Sequence, residues 1–467
     1  MYKRLRHTVD ASIRQLRQKG SFAQNFAITF SGTAAVAVLG FAVSPIMTRL
    51  YEPQSYGLFA VFNAIVSNVS LFSTLGYAPA FLLPRQRSRF LALVQLTVLL
   101  SVVALIGMLL AFGLLHEPLL RWLKAEALGG WFYVIPFAVF VFNLNVVMSA
   151  WYLRTKDFKK RAGIDVATAV AGRSLTLGVG WLGNGPVGGL LLGDLFAKLT
   201  MFGSMLFSGI HRQLHEVRRP FSWVRIKAVA WQYREYPFYV MPTAYLSNLA
   251  GQLPIFFLTT GFGAGAVGLY AFSTSLLELP LNLIGNAVAP VFLQKATETY
   301  QQEPARLRHI CLDLYNRLFY LGLLPFGIIT VFGDWIFGFV FGAKWEQAGV
   351  FTGYLGYYYV FRLASYATSP VYAVLHRQRL ALAGTALLVL VRAASLLIGI
   401  VNHNLNLGML LFGLSSLVVT FLVDMNILYL LKLPVLRLAA RSIALVLATL
   451  AFLWGIRAIM EQLVGGA

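Results

Sequence analysis

The chain has 467 residues, of which 58% are apolar and only 12% charged, and its mean hydropathy is +0.71. A soluble globular domain carries about 25% charged residues, so the composition excludes that class and indicates an all-α polytopic membrane protein. The net charge of +21 would suit nucleic acid, but the way that charge is spread along the chain argues against it.

Residues 1–23 form a basic head. In "YKRLRHTVDASIRQLRQKG", Leu5, Val9, Ile13 and Leu16 share one helical stripe among basic residues, which predicts an interfacial helix on the anionic inner leaflet. Apolar stretches then follow at 24–50, 57–83, 90–115, 130–153, 163–183, 187–209, 238–260, 265–293, 313–341, 348–375, 379–401, 405–431 and 438–460. Each is long enough to cross the roughly 30 Å hydrocarbon core as a helix. They are continuous apolar runs rather than the alternating ten-residue segments of a barrel. The first is too long for a cleavable signal and reads as a retained helix. Between the sixth and seventh, residues 211–237 form a basic linker rich in aromatics, expected to lie along the membrane. The chain thus divides into a head (1–23), a first lobe (24–210), the linker (211–237), a second lobe (238–431) and a final span with its tail (432–467). Arg441 and Arg457 bracket the short apolar centre of that final span. Thirteen crossings would leave the C-terminus outside and twelve would leave it in the cytoplasm.

Numbering the loops alternately puts 29 of the 38 Lys and Arg on one side, while the other holds only Arg49, Arg121, Lys124, Lys344 and Arg457. This is the positive-inside bias, and it predicts a cytoplasmic N-terminus. The single Cys311 excludes an internal disulfide framework and is expected in a cytoplasmic loop.

The sequence repeats itself. Residues 57–82 and 268–293 share Gly57/Gly268, Leu58/Leu269, Ala60/Ala271, Ala78/Ala289, Pro79/Pro290, Phe81/Phe292 and Leu82/Leu293 without a gap. A second match, at an offset of 219, pairs Arg173/Arg392, Leu177/Leu396, Gly180/Gly399, Gly189/Gly408, Leu191/Leu410 and Leu192/Leu411. Spans 1–6 and 7–12 therefore read as two copies of one six-helix unit. Six is even, so the copies enter from the same side as parallel lobes. In transporters built from repeats the substrate site lies at the repeat interface.

Charges within the spans narrow the chemistry. An arginine at a helix centre costs about 3 kcal/mol on insertion scales. Arg173, Arg362 and Arg392 occupy such positions in spans 5, 10 and 11, so each should face a water-filled cavity or an acidic partner. As repeat mates, Arg173 and Arg392 are expected to face each other. Asp194 and Lys198 stand four apart and read as a structural ion pair. Asp334 and Asp424 lie nearer span ends, where they are expected to reach water. Glu278 lies mid-span where its repeat mate is Ser67; it either neutralises an arginine or carries a coupling proton. The balance is cationic and points to an anionic cargo, because guanidinium groups bind phosphate in bidentate fashion and keep their charge when desolvated. Asn63, Asn248, Gln252 and Asn282 are candidate contacts for sugar hydroxyls, or bonds between neighbouring helices.

No P-loop, H-E-x-x-H or metal-spaced Cys/His cluster occurs, so neither an enzyme nor a metal or other cofactor is expected, beyond proton or sodium coupling. The stretch "NFAITFSGTAAVAVLGFAVSPIMTRLYEPQSYGLFAVF" at 25–62, with Arg49, "LYEP" and "YG", resembles the opening of Wzx-type polysaccharide flippases of the MOP superfamily, whose relatives include the MATE exporters and the lipid II flippases. "GAGAVGLYAFSTSLLELP" at 263–280 supplies the second half-repeat. The resemblance implies a V-shaped pair of MATE-like lobes around a cationic cavity in the bacterial inner membrane. It also implies an undecaprenyl-diphosphate-linked oligosaccharide as cargo, with Arg49, Arg173, Arg362 and Arg392 as its ligands. A polysaccharide polymerase and glycosyltransferases would be its partners. Two alternatives stay open: a cation-coupled MATE exporter, which should carry more acidic residues, and a membrane-embedded polymerase, which should carry a large outer loop.

Overall fold

The computed structural model describes residues 22–123, 126–155, 157–183, 187–210 and 222–465. The predicted interfacial head and the first part of the linker, 211–221, lie outside the described residues. Among the described residues the chain is all-helical, with no strand.

Fourteen helices follow in order: α1 (Phe22–Leu50), α2 (Pro53–Ser73), α3 (Arg87–Leu123), α4 (Ile135–Thr155), α5 (Phe158–Trp181), α6 (Gly188–Met205), α7 (Trp223–Gln232), α8 (Met241–Phe262), α9 (Ala264–Gln302), α10 (Pro304–Phe341), α11 (Glu346–Val374), α12 (Gln378–Val401), α13 (Leu405–Leu430) and α14 (Val435–Gly465). Each predicted span overlaps one of the thirteen long helices among the described residues. Ten of these are long and apolar enough to cross a membrane, and the chain is a multi-pass membrane protein. The three that are less apolar, α5, α8 and α11, carry Arg173, the Asn248/Gln252 pair and Arg362.

The second predicted span, 57–83, is not one helix. It is α2 followed by a separate 3-10 turn at Ala78–Leu82. Leu75 and Gly76 adopt φ of 48° and 67°, which no α-helix accommodates. In the second copy, α9 runs unbroken through Pro280 and Pro290 for 39 residues. Cys311 is also not in a loop. It is buried on α10.

Two compact units form, Met1–Tyr51 with Leu58–Leu253 and Glu52–Gly57 with Pro254–Ala467. In the first, Phe81, Phe90 and Trp151 meet edge to face in a buried cluster that also takes Ile226 and Val229 of α7. The other face of α7 leaves Trp223, Val224 and Trp231 65–80% exposed. The second unit is organised around α11, the helix that buries Leu355, Val360, Leu363 and Ala367 against α9, α10 and α13.

The repeat can be seen at atomic level within each unit. Thr176 Oγ1 donates to the Gly172 carbonyl, and its counterpart Ser395 Oγ donates to that of Val391. Gly399 of α12 packs directly on Gly408 of α13, whereas Gly180 and Gly189 both press on the ring of Tyr51. Tyr51 OH donates to the Thr176 carbonyl at 2.6 Å. Gly57 and Gly268, the repeat mates, touch each other in the second unit. A Cβ on Gly57 would strike the Ala264 carbonyl oxygen, and one on Gly268 would strike that of Pro53.

The final helix is docked by charge. Arg457 of α14 forms a two-armed pair with Asp334 of α10 at 2.7 and 3.0 Å and lies over Trp335. Arg441 donates to Asn316 and to Tyr320 OH. Residues 316–334 thus meet 441–457 in the same order, so α10 and α14 run in the same direction. Sixteen residues of helix separate the two anchors, about 24 Å at 1.5 Å per residue.

Candidate functional site

In the second unit, α9, α11, α12 and α13 enclose a cavity of about 350 Å³. Arg362 is the one charged residue among those that line it. Ser365, Tyr366, Ser369 and Thr385 add hydroxyls, and Leu388, Val419 and Val423 add apolar wall. Close helix approach shapes the cavity. Gly285 of α9 accepts the ring of Tyr366, and Gly384 of α12 lies against Val423 of α13.

Arg362 sits among tyrosines that sequence reasoning passed over. Tyr358, Tyr359 and Tyr366 of α11 surround its guanidinium, and Glu278 of α9 acts on it electrostatically. Tyr270 of α9, packed edge to face on Phe412, feels Arg392, Glu278 and Arg362 together. The second unit therefore brings Glu278, Arg362 and Arg392 into one electrostatic group. The Tyr-rich run "YLGYYYVFRLASY" at 354–366 was the available signal, since tyrosine supplies both a ring face and a hydroxyl beside a cation.

Arg392 is the most committed of these groups. Its Nε donates to Ser416 Oγ at 2.8 Å, and its guanidinium lies 5.1 and 4.9 Å from the ring centres of Tyr358 and Phe412. Glu278 and Asn282 are exposed on α9. In the first unit, Arg173 of α5 lies against α1, where a Cβ on Gly40 would come 2.6 Å from its Nη2. Arg49 is exposed near the end of α1.

The first unit also gathers three of the predicted amides around α2. Gln252 Nε2 donates to Ser67 Oγ at 2.6 Å, and Asn248 Nδ2 donates to the same oxygen at 3.3 Å. Asn63 Oδ1 accepts from Lys198 Nζ, which also pairs with Asp194. Asn68, buried beside Gln252, leaves its Oδ1 without a partner. Asp334 pairs with Arg457 as described. Asp424 does not reach water, contrary to the sequence expectation, and is fully buried. Among the described residues no group of three His, Cys, Asp or Glu could hold a metal ion.

The fold is shared with solved membrane transporters. It matches a lipid II flippase, MurJ, in an inward closed conformation at 12% identity and a TM-score of 0.66, covering 92% of this chain and 99% of that one. It also matches the inward-facing and outward-facing conformations of a multidrug resistance MATE family transporter of the MOP superfamily. Both are 14% identical and cover 90% of this chain, with TM-scores of 0.58 and 0.53 and coverage of 98% and 95% of those chains. These likenesses show the fold: a multi-pass helical fold shared with MurJ and a MATE transporter. The chain belongs to the polysaccharide biosynthesis protein family, whose pattern matches residues 46–349. Among curated proteins none matches the sequence.

Proposed function

We propose that the protein is a flippase. It carries an undecaprenyl-diphosphate-linked oligosaccharide repeat unit from the cytoplasmic to the periplasmic leaflet of the bacterial inner membrane, by alternating access, for assembly of a surface polysaccharide. The observation that carries this reading is the position of Arg362. It is a cation on the wall of a cavity lined with hydroxyls, in a chain of a polysaccharide biosynthesis family. A guanidinium keeps its charge away from water and grips phosphate oxygens in pairs. The fold likeness to a lipid II flippase supports a lipid-linked cargo.

In this reading Arg362 binds the diphosphate, with Arg392, Arg173 and Arg49 completing the cationic set. Glu278 limits the net charge. Asn63, Asn248, Gln252 and Asn282 meet sugar hydroxyls, and the lipid tail stays in the bilayer. The N-terminus is cytoplasmic, and polymerase and glycosyltransferases act on either side of the step. Outward movement of one negative charge gains about 2.3 kcal/mol per 100 mV of inside-negative potential. Proton or sodium coupling supplies the rest.

The test is complementation of a strain lacking the protein. Arg362→Ala should abolish surface polysaccharide while the protein remains inserted, and Arg362→Lys should restore only part of it. Full polysaccharide with Arg362→Ala contradicts the reading.

A further inference from the structure

Asp424 has no accessible surface. It projects from α13 onto two hydroxyls of α11. Ser365 Oγ lies 2.9 and 3.0 Å from its two carboxyl oxygens, and Thr368 Oγ1 lies 2.5 Å from Oδ1. These are hydrogen-bond distances. A buried carboxylate is costly unless something neutralises it. Among the described residues no cation pairs with it. The titratable groups facing it are Tyr372 from α11 and Cys311 and Tyr315 from α10. From α14, Arg441 acts on Tyr315 rather than pairing with the carboxyl group.

The two hydroxyls have a second feature. Ser365 Oγ also lies 2.9 Å from the Phe361 carbonyl oxygen, and Thr368 Oγ1 lies 3.3 Å from that of Ser365. Each hydroxyl has one proton to give. When the carboxyl group is ionised, both hydroxyls point to it. When it is protonated, its O–H donates to Thr368 Oγ1, whose own proton turns to the Ser365 carbonyl. The Ser365 proton then turns to the Phe361 carbonyl. Both states leave every donor matched, and the exchange moves only hydrogens. Ser365 is also part of the cavity wall, one helical turn from Arg362.

We propose that Asp424 is a proton-binding site of this protein, loaded from the Arg362 cavity through Ser365. A proton arriving from the cavity joins Ser365 Oγ as the hydroxyl's own proton passes to the carboxylate. The carboxylate becomes a neutral carboxylic acid, and Ser365 is restored. Loading removes one negative charge from behind the cavity wall and leaves Arg362 as its charge. An anion and this proton therefore favour each other's binding, and the coupling is reciprocal. This inference does not depend on the nature of the cargo.

The experiment is infrared difference spectroscopy of the purified full chain in lipid, stepped from alkaline to mildly acidic buffer, with the proton as the only ligand. A carbonyl-stretch band of a protonated carboxylic acid should grow in. It should vanish in Asp424→Asn, shift in Ser365→Ala and stay in Glu278→Gln. Should Asp424→Asn fail to fold, the Ser365→Ala shift decides. The proposal is overturned if the intact protein shows no such band, if the band survives in Asp424→Asn, if Ser365→Ala leaves it in place, or if Glu278→Gln removes it. None of these readouts involves polysaccharide, so failure here leaves the flippase reading standing, and the reverse holds too.

Discussion

Two arginines one helix apart have different physical roles. Arg392 is bonded to Ser416 and held between two rings, so its removal strips packing as well as charge. Arg362 faces open cavity space. Arg392→Ala should therefore cost about 1–3 kcal/mol of stability, read as a lower melting temperature in detergent. Arg362→Ala should cost less than that, because the guanidinium faces cavity space and its electrostatic partner Glu278 is itself exposed. Equal losses in the two variants would contradict this division. Sequence alone identified both as costly intramembrane charges. It did not separate them, because the separation depends on Ser416, Tyr358 and Phe412 arriving from other helices. The same holds for Asp424. Its place near the end of α13 suggested water, but α10 and α11 close over it.

At the scale of helices, the Gly57/Gly268 contact explains why the chain repeats "GL" so far apart. Each glycine is the other's neighbour, with a carbonyl of the opposite helix where a Cβ would stand. Gly57→Ala and Gly268→Ala should each force the helices apart and cost roughly 1–3 kcal/mol, while Gly265→Ala, in open space on the same α9, should be neutral. Thermal unfolding of the three variants measures this. The docking of α14 gives a second prediction. Asp334→Asn leaves Arg457 paired only with Glu461 of its own helix and removes its charged anchor on α10, and breaking an enclosed pair from one side costs about 3–5 kcal/mol. Since Asp334 and Arg457 are 22% and 14% exposed, the lower end applies. α14 should then become sensitive to protease before the other helices do. Most helices were legible from hydropathy because a span must satisfy its own backbone bonds in lipid. The break after α2 was not, because "TLGYAP" at 74–79 carries no charge and lies inside an otherwise continuous apolar run. The backbone turns at Leu75 and Gly76, and the repeat mate of Gly76 is Ala287 in the continuous helix of the second copy.

For the molecule as a whole, α14 runs in the direction of α10, which predicts an odd number of crossings. A reporter fused after Ala467 should be active on the opposite face from one inserted at Gln302. The same face for both would exclude α14 as a span. The flippase step is tested by lipid analysis of a strain that lacks the protein. A complete oligosaccharide repeat unit on undecaprenyl diphosphate should accumulate in the cytoplasmic leaflet, together with loss of surface polysaccharide. An unchanged lipid pool, accompanied by raised sensitivity to cationic drugs, would contradict it and leave the Arg362 cavity to a different cargo.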